Sequence, residues 1–214
     1  MPFINPKFGY FTAIEVFALE DRDSQERVLD TKRRSIDTAA HQGWVSSTLH
    51  SGVTKPGAAD YTQWRSAEEL EAHFAAAGHE GDQLWKGEVV SSQHHPLVDE
   101  RIEVSPDRQD WTSIAILRVS PENQQALIDE LTRPRDEWVD LLPGYVSHSV
   151  VRGLDGTFVV NYAQWESEET YWGFHDVPEE QWPLHVRESR DRARGLTLSA
   201  EYNTYRVVHA RSAG

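Results

Sequence analysis

The chain has 214 residues, with 21 Lys and Arg against 35 Asp and Glu for a formal charge of −14, which argues against duplex nucleic acid or an anionic membrane as a partner. It has no cysteine, so disulfides and thiol catalysis are excluded, and no apolar run reaches the roughly 18 residues of an ordinary membrane span. The opening MPFINPKFGYF carries neither a basic lead nor a long apolar stretch, so no signal peptide is expected and the expected location is cytoplasmic.

In chain order, FTAIEVFAL (11–19) alternates and predicts a strand. Ser24 to Gln42 predicts a helix with Val28, Leu29 and Ile36 inward, ending near Gly43. WVSSTLHSGV (44–53) and AADYTQW (58–64) predict two strands turned at Lys55-Pro56-Gly57. Ser66 opens a short helix, AEELEAHFAAAG. A second helical stretch is expected over 80–93 and a closing strand over LVDERIEV (97–104), with a boundary at Pro106-Asp107. The order then recurs. WTSIAILRV (111–119) predicts a strand and PENQQALIDEL (121–131) a helix with Pro at its start. YVSHSVVRGL (145–154) and TFVVNYAQW (157–165) form a hairpin across Asp155-Gly156. SEETYWGFH (167–175) predicts a short helix, PEEQWPLHVRESRDRAR (178–194) a longer one broken at Pro183, and LSAEYNTYRVVHA (198–210) the last strand.

The recurrence is also literal. Shifted by 101 positions, Tyr61, Gln63, Trp64, Ser66 and Glu68 fall on Tyr162, Gln164, Trp165, Ser167 and Glu169, and GWVSSTLHSG (43–52) falls on GYVSHSVVRG (144–153). At a shift of 100, FTAIEVFAL falls on WTSIAILRV. Such self-similarity marks a tandem duplication, with halves 1–107 and 108–214. Each half reads β-α-β-β-α-β, so the expected class is α+β: two tandem ferredoxin-like repeats packing into one intramolecular barrel.

The copies differ where chemistry would sit. Ala67, Leu70 and Phe74 share one helix face, and their counterparts are Glu168, Tyr171 and His175. A buried phenol or imidazole without a partner costs about 1–3 kcal/mol, so both are expected to face a partner or a polar cavity. On the preceding strand Asn161, Ala163 and Trp165 alternate onto one face, Ala163 leaving room beside its neighbours; the first half has Asp60, Thr62 and Trp64 there. On the later helix, Trp182, His185, Val186, Ser189 and Ala193 form the face expected to meet the sheet. Arg187, Arg190 and Arg194 are expected on the solvent side, so His185 is preferred to Arg187. His94-His95 reads as surface rather than metal ligand, and Glu15 as a cavity acid or an edge position. No Gly-rich phosphate loop, Ser nucleophile elbow or zinc motif occurs, which argues against NAD, ATP, hydrolase and metalloprotease chemistry.

The hairpin running into (N/D)YxQW(x)SxE resembles the antibiotic biosynthesis monooxygenase family, once per half. The resemblance implies a dimeric α+β barrel. In the family's oxygenases, an Asn four residues before a Trp binds the substrate carbonyl region and a Tyr six residues after that Trp lines the site. Asn161, Trp165 and Tyr171 meet this spacing; the first half meets it only at Trp64. The implied activity is O2-dependent oxidation of a polycyclic aromatic polyketide, an anthrone or angucycline-like phenol, to a quinone or ring-opened product. Asn161 and Tyr171 would hold the oxyanion, and His175 or His185 would act as base. Trp165, Ala163, Trp172 and Trp182 would line the substrate site. No metal or resident cofactor is implied, which leaves room for reduced flavin as a diffusible co-substrate. The expected partners are an aromatic small molecule and O2, with a homodimer left open. A polyketide cyclase and a non-catalytic binder of aromatic metabolites are the alternatives.

Overall fold

In the computed structural model, which describes residues 2–94, 102–133 and 143–213, eight strands close into one barrel. The first half contributes β2 (Phe11–Ala18), β3 (Trp44–Gly52), β4 (Gly57–Trp64) and β5 (Gln83–His94). The second contributes β7 (Trp111–Val119), β8 (Tyr145–Gly153), β9 (Phe158–Trp165) and β10 (Thr197–Ser212). Around the barrel the order is β10-β3-β4-β2-β5-β8-β9-β7, so β5 pairs with β8 and β10 with β3 across the two halves. The short strands β1 (Phe3–Ile4) and β6 (Ile102–Glu103) form a separate ribbon.

The repeated phrase YxQW has a structural cause. Side chains alternate across a strand, and Tyr61 and Tyr162 point into the barrel, where their rings meet at 5.6 Å between centroids. Gln63 and Gln164 each accept a hydrogen bond from a serine on the neighbouring strand, Ser46 and Ser147, both at 2.8 Å. Trp64 and Trp165 turn the other way and are buried under the helices. The barrel interior is therefore a filled core, built on Ile14, Trp85, Ile114, Phe158 and Tyr205, and any ligand space must lie outside it.

Helices cover that outer face. They are α1 (Arg22–Thr38), α2 (Ala67–Ala77), α3 (Gln124–Leu131), α4 (Glu168–His175) and α5 (Leu184–Leu196). The starts of α2 and α4 are equivalent: Ser66 accepts from Glu69 N–H and Ser167 from Thr170 N–H, each at 3.2 Å, satisfying donors that a helix start leaves open. Gly43 and Gly144 have φ of 75° and sit beneath these starts, where a Cβ would lie 2.1 Å from Glu69 and 2.4 Å from Thr170. That explains the repeated glycine.

Two expectations need correction. The stretch 80–93, read as helix, holds instead the strand β5 from Gln83 onward. It closes the first half between β2 and β8, and Gly87 packs so tightly that a Cβ would lie 2.5 Å from Arg152 O. The pairing partners, supplied from distant chain, decide the conformation. Of the closing strand expected at 97–104, only Ile102–Glu103 is observed, and 95–101 and His95 lie outside the described residues. The first half thus has no helix corresponding to α5 among its described residues.

Candidate active site

Beneath α3, α4 and α5, against β7, β8, β9 and β10, lies a cavity of about 1470 Å³. This exceeds the roughly 300–1,000 Å³ usual for small-molecule sites. Asn161, Ala163 and Trp165 line its floor from β9, as their alternation predicts, and Tyr171, Trp172 and His175 line it from α4. His185 lines it from α5, while Arg187 does not. Trp182 departs from expectation. It is buried behind the wall, its indole N–H donating to Val177 O at 3.2 Å and its ring edge-on to Phe174, so it supports the wall and does not form it. Arg190 and Arg194, expected toward solvent, line the cavity as well.

The floor carries an unused polar group. The Asn161 side-chain oxygen is buried and has no hydrogen-bond partner. In the first half the Trp64 indole N–H donates to Thr62 at 2.9 Å. Position 163 holds alanine instead, so the Trp165 N–H lacks the acceptor its counterpart has. Buried polar groups are ordinarily paired, and the Asn161 oxygen faces the cavity without a partner. Tyr171 is buried with its ring 6.0 Å from Trp165 and edge-on to it. Burial pushes its phenol above the ordinary value, and the neighbouring Ser113 hydroxyl pulls partly back. Ser113 replaces Ala13 of the first half, where Ala13 and Leu70 share an apolar cluster.

His175 stands at the cavity mouth with its ring 4.3 Å from Tyr171. Desolvation lowers its pKa to about 4, and the positive charge of Arg190 adds to the shift. The imidazole is therefore neutral at pH 7 and free to accept a proton. Arg190 packs over the Trp182 ring at 5.4 Å and makes no ion pair among the described residues. Around it the rim cations are neutralised: Glu130 receives Arg133 and Arg192, both at 2.8 Å. Burial acts to raise the Glu130 carboxyl, but hydrogen bonds from Arg192 and Ser189 bring it below its ordinary value.

Two lining residues were not singled out from sequence. Tyr145 and His148 form a buried pair, with the phenol oxygen 2.7 Å from His148 Nδ1. At the shift of 101 they replace Trp44 and Ser47, which are bonded in the same way at 2.9 Å. His148 Nε2 lies 3.3 Å from Leu131 O, which fixes the proton on Nε2 and makes Nδ1 the acceptor. The signal was present in the same internal comparison that exposed Tyr171 and His175.

The sequence pattern of the antibiotic biosynthesis monooxygenase family matches residues 112–179, which carry the cavity floor and α4. Tetracenomycin-F1 monooxygenase from Streptomyces glaucescens is 36% identical over 75 residues, 35% of this chain and 67% of that protein. This chain belongs to the antibiotic biosynthesis monooxygenase family. A solved structure described as an anthrone oxidase-like protein superposes with a TM-score of 0.91 at 29% identity, covering 100% of this chain and 97% of that one. A major regulator of staphylococcal pathogenesis shares the fold at a TM-score of 0.57 and 11% identity, covering 93% of this chain and 99% of its own. The fold alone therefore carries no activity; the family's monooxygenase activity does, and the protein is an enzyme of that type. Among the described residues no cluster of three or more His, Asp and Glu could hold a metal ion, and no helix is long and apolar enough to cross a membrane.

Proposed function

We propose that this monooxygenase oxidises a polycyclic aromatic polyketide, an anthrone or an angucycline-like phenol, with O2 in the cavity of the second half. The observation that carries the reading is the buried, unpartnered Asn161 side-chain oxygen in a cavity lined by Trp165, Tyr171 and Trp172. A phenol O–H of the substrate can donate to the Asn161 oxygen, and an aryl ketone oxygen can accept from the Trp165 N–H, while the rings stack on the walls. The names of two relatives, tetracenomycin-F1 monooxygenase and an anthrone oxidase-like protein, support the same substrate class.

Ground-state O2 is a triplet and reacts slowly with closed-shell molecules unless an electron is readily given. An anthrone gives one after losing a ring proton, because the resulting anion is spread over three rings. Neutral His175 takes that proton. Asn161 and Tyr171 hold the oxygen on which negative charge gathers. O2 adds at the carbanion carbon, and loss of water from the hydroperoxide leaves a carbonyl. The CH2 group and O2 become C=O and H2O, so the step balances without a reductant, a metal or a resident cofactor. Reduced flavin enters this scheme only as a diffusible co-substrate.

The test is oxygen uptake by the full chain with an anthrone panel, with and without reduced flavin. Uptake without flavin is expected, at a rate that falls as pH drops through about 4, where His175 protonates. Turnover of the substrate under strict anaerobiosis would instead identify a cyclase.

A further inference from the structure

The strand facing β9 carries one more difference between the halves. In the first half Glu15 on β2 stands directly opposite Asp60 on β4. The matching pair in the second half is Ala115 on β7 opposite Asn161 on β9. Both pairs look out from the barrel toward the covering helices, and what fills the space above them is opposite in kind.

Above Asp60 the space is taken by the chain itself. Glu15 binds Lys32 of α1 at 2.6 Å, and its other oxygen accepts the Gly81 N–H at 2.7 Å. Lys32 also reaches Glu80 at 3.2 Å. Glu15, Lys32 and Asp60 are all buried. Above Asn161 the carboxylate has become the methyl of Ala115, which lines the cavity together with Ala163 and Ala200. The position matching Lys32 falls at Thr132 or Arg133, just past the end of α3, and Arg133 turns to Glu130 on the cavity rim. The loss of the Glu15 carboxylate and of a Lys32 equivalent thus turns a plugged niche into an open one.

We propose that this position decides which half binds: Ala115 admits the fused rings of the ligand beside Asn161, and the Glu15–Lys32 ion pair occupies the equivalent volume of the first half, so each chain holds one ligand. This rests on the reading above that the ligand is a fused aromatic polyketide. It assigns Ala115 a specificity role and gives the duplicated half a structural reason for having no site of its own.

The probe is 1,8-dihydroxyanthraquinone, titrated into the full chain by calorimetry, with quenching of tryptophan fluorescence as a second readout. One site per chain is expected. Ala115→Leu extends a side chain into open cavity and leaves the strand pairing intact, so it should melt within a few degrees of the parent. It should weaken binding on the order of ten-fold or more by filling ring space. Two sites per chain, no binding by the parent, or unchanged affinity in Ala115→Leu would each overturn the proposal. The functional reading fails separately: one-to-one binding that responds to Ala115→Leu, without oxygen uptake on any anthrone, sinks the oxidation chemistry and leaves the binding assignment standing.

Discussion

Asp60 and Asn161 hold the same place in their halves and differ by one side-chain atom. Burial raises the Asp60 carboxyl to about 7, with Lys32 opposing the shift and the charges of Glu15 and Glu80 adding to it. One of its oxygens has no partner. A carboxyl whose folded pKa lies above its unfolded value near 4 is most compatible with the fold when protonated. Its contribution is therefore full below about pH 4 and is lost as pH rises toward 7, where the buried charge appears. Asp60→Asn removes that charge and should raise the melting temperature more at pH 8 than at pH 5 in parallel scanning-fluorimetry runs. An equal or larger gain at pH 5 would show that the Asp60 carboxyl does not change its protonation between the two pH values. Glu15 was legible as anomalous but not as a buried ion pair, because Lys32, although it shares the inward face of Leu29 and Ile36, meets Glu15 only through the packing of α1 on β2, which local sequence does not give. Tyr171 and His175 were legible because an apolar stripe in one copy turned polar in the other.

At the scale of elements, hairpins and capped helices were readable from local chemistry, as Asp155-Gly156 and the serines before α2 and α4 show. β5 was not. Its pattern around Leu84, Trp85, Val89 and Val90 is set by pairing with β2 and β8, information that lies far along the chain. The helices α2 and α4 are the clearest matched pair, and they separate stability from chemistry. Leu70 is fully buried among Ala13, Trp44 and Trp64, so Leu70→Ala should lower stability by about 2–5 kcal/mol in denaturant titrations and leave the turnover of the folded fraction near normal. Tyr171→Phe deletes one hydroxyl without opening a void. It should preserve the melting temperature and reduce kcat on the order of 10²-fold, with a smaller change in KM, if that hydroxyl holds developing charge. The reverse outcome, with activity lost in folded Leu70→Ala and retained in Tyr171→Phe, would move the chemistry to the first half.

At the scale of the whole molecule, the duplication is closed on itself by hydrogen bonds rather than by packing alone. β5 runs along β8 from Gly87↔Gly153 to His94↔Ser147, and β10 runs along β3 from Tyr205↔Gly52 to Ser212↔Ser46. Cutting the chain between 107 and 108 would leave β3 and β5 as open edges in one piece and β8 and β10 in the other. It would also expose the interior shared by Tyr61 and Tyr162, where His50 of the first half meets the Tyr162 hydroxyl at 2.9 Å. Unpaired edges beside apolar surface recruit other chains. Residues 1–107 or 108–214 expressed alone should therefore aggregate or pair with themselves, as read by light scattering behind a sizing column. Mixing the two pieces during refolding should restore a one-to-one assembly, because each supplies the strands the other lacks. A monomeric half with dispersed amide resonances would show that the sheets are self-sufficient. The barrel would then be an association of two finished domains rather than the unit that folds.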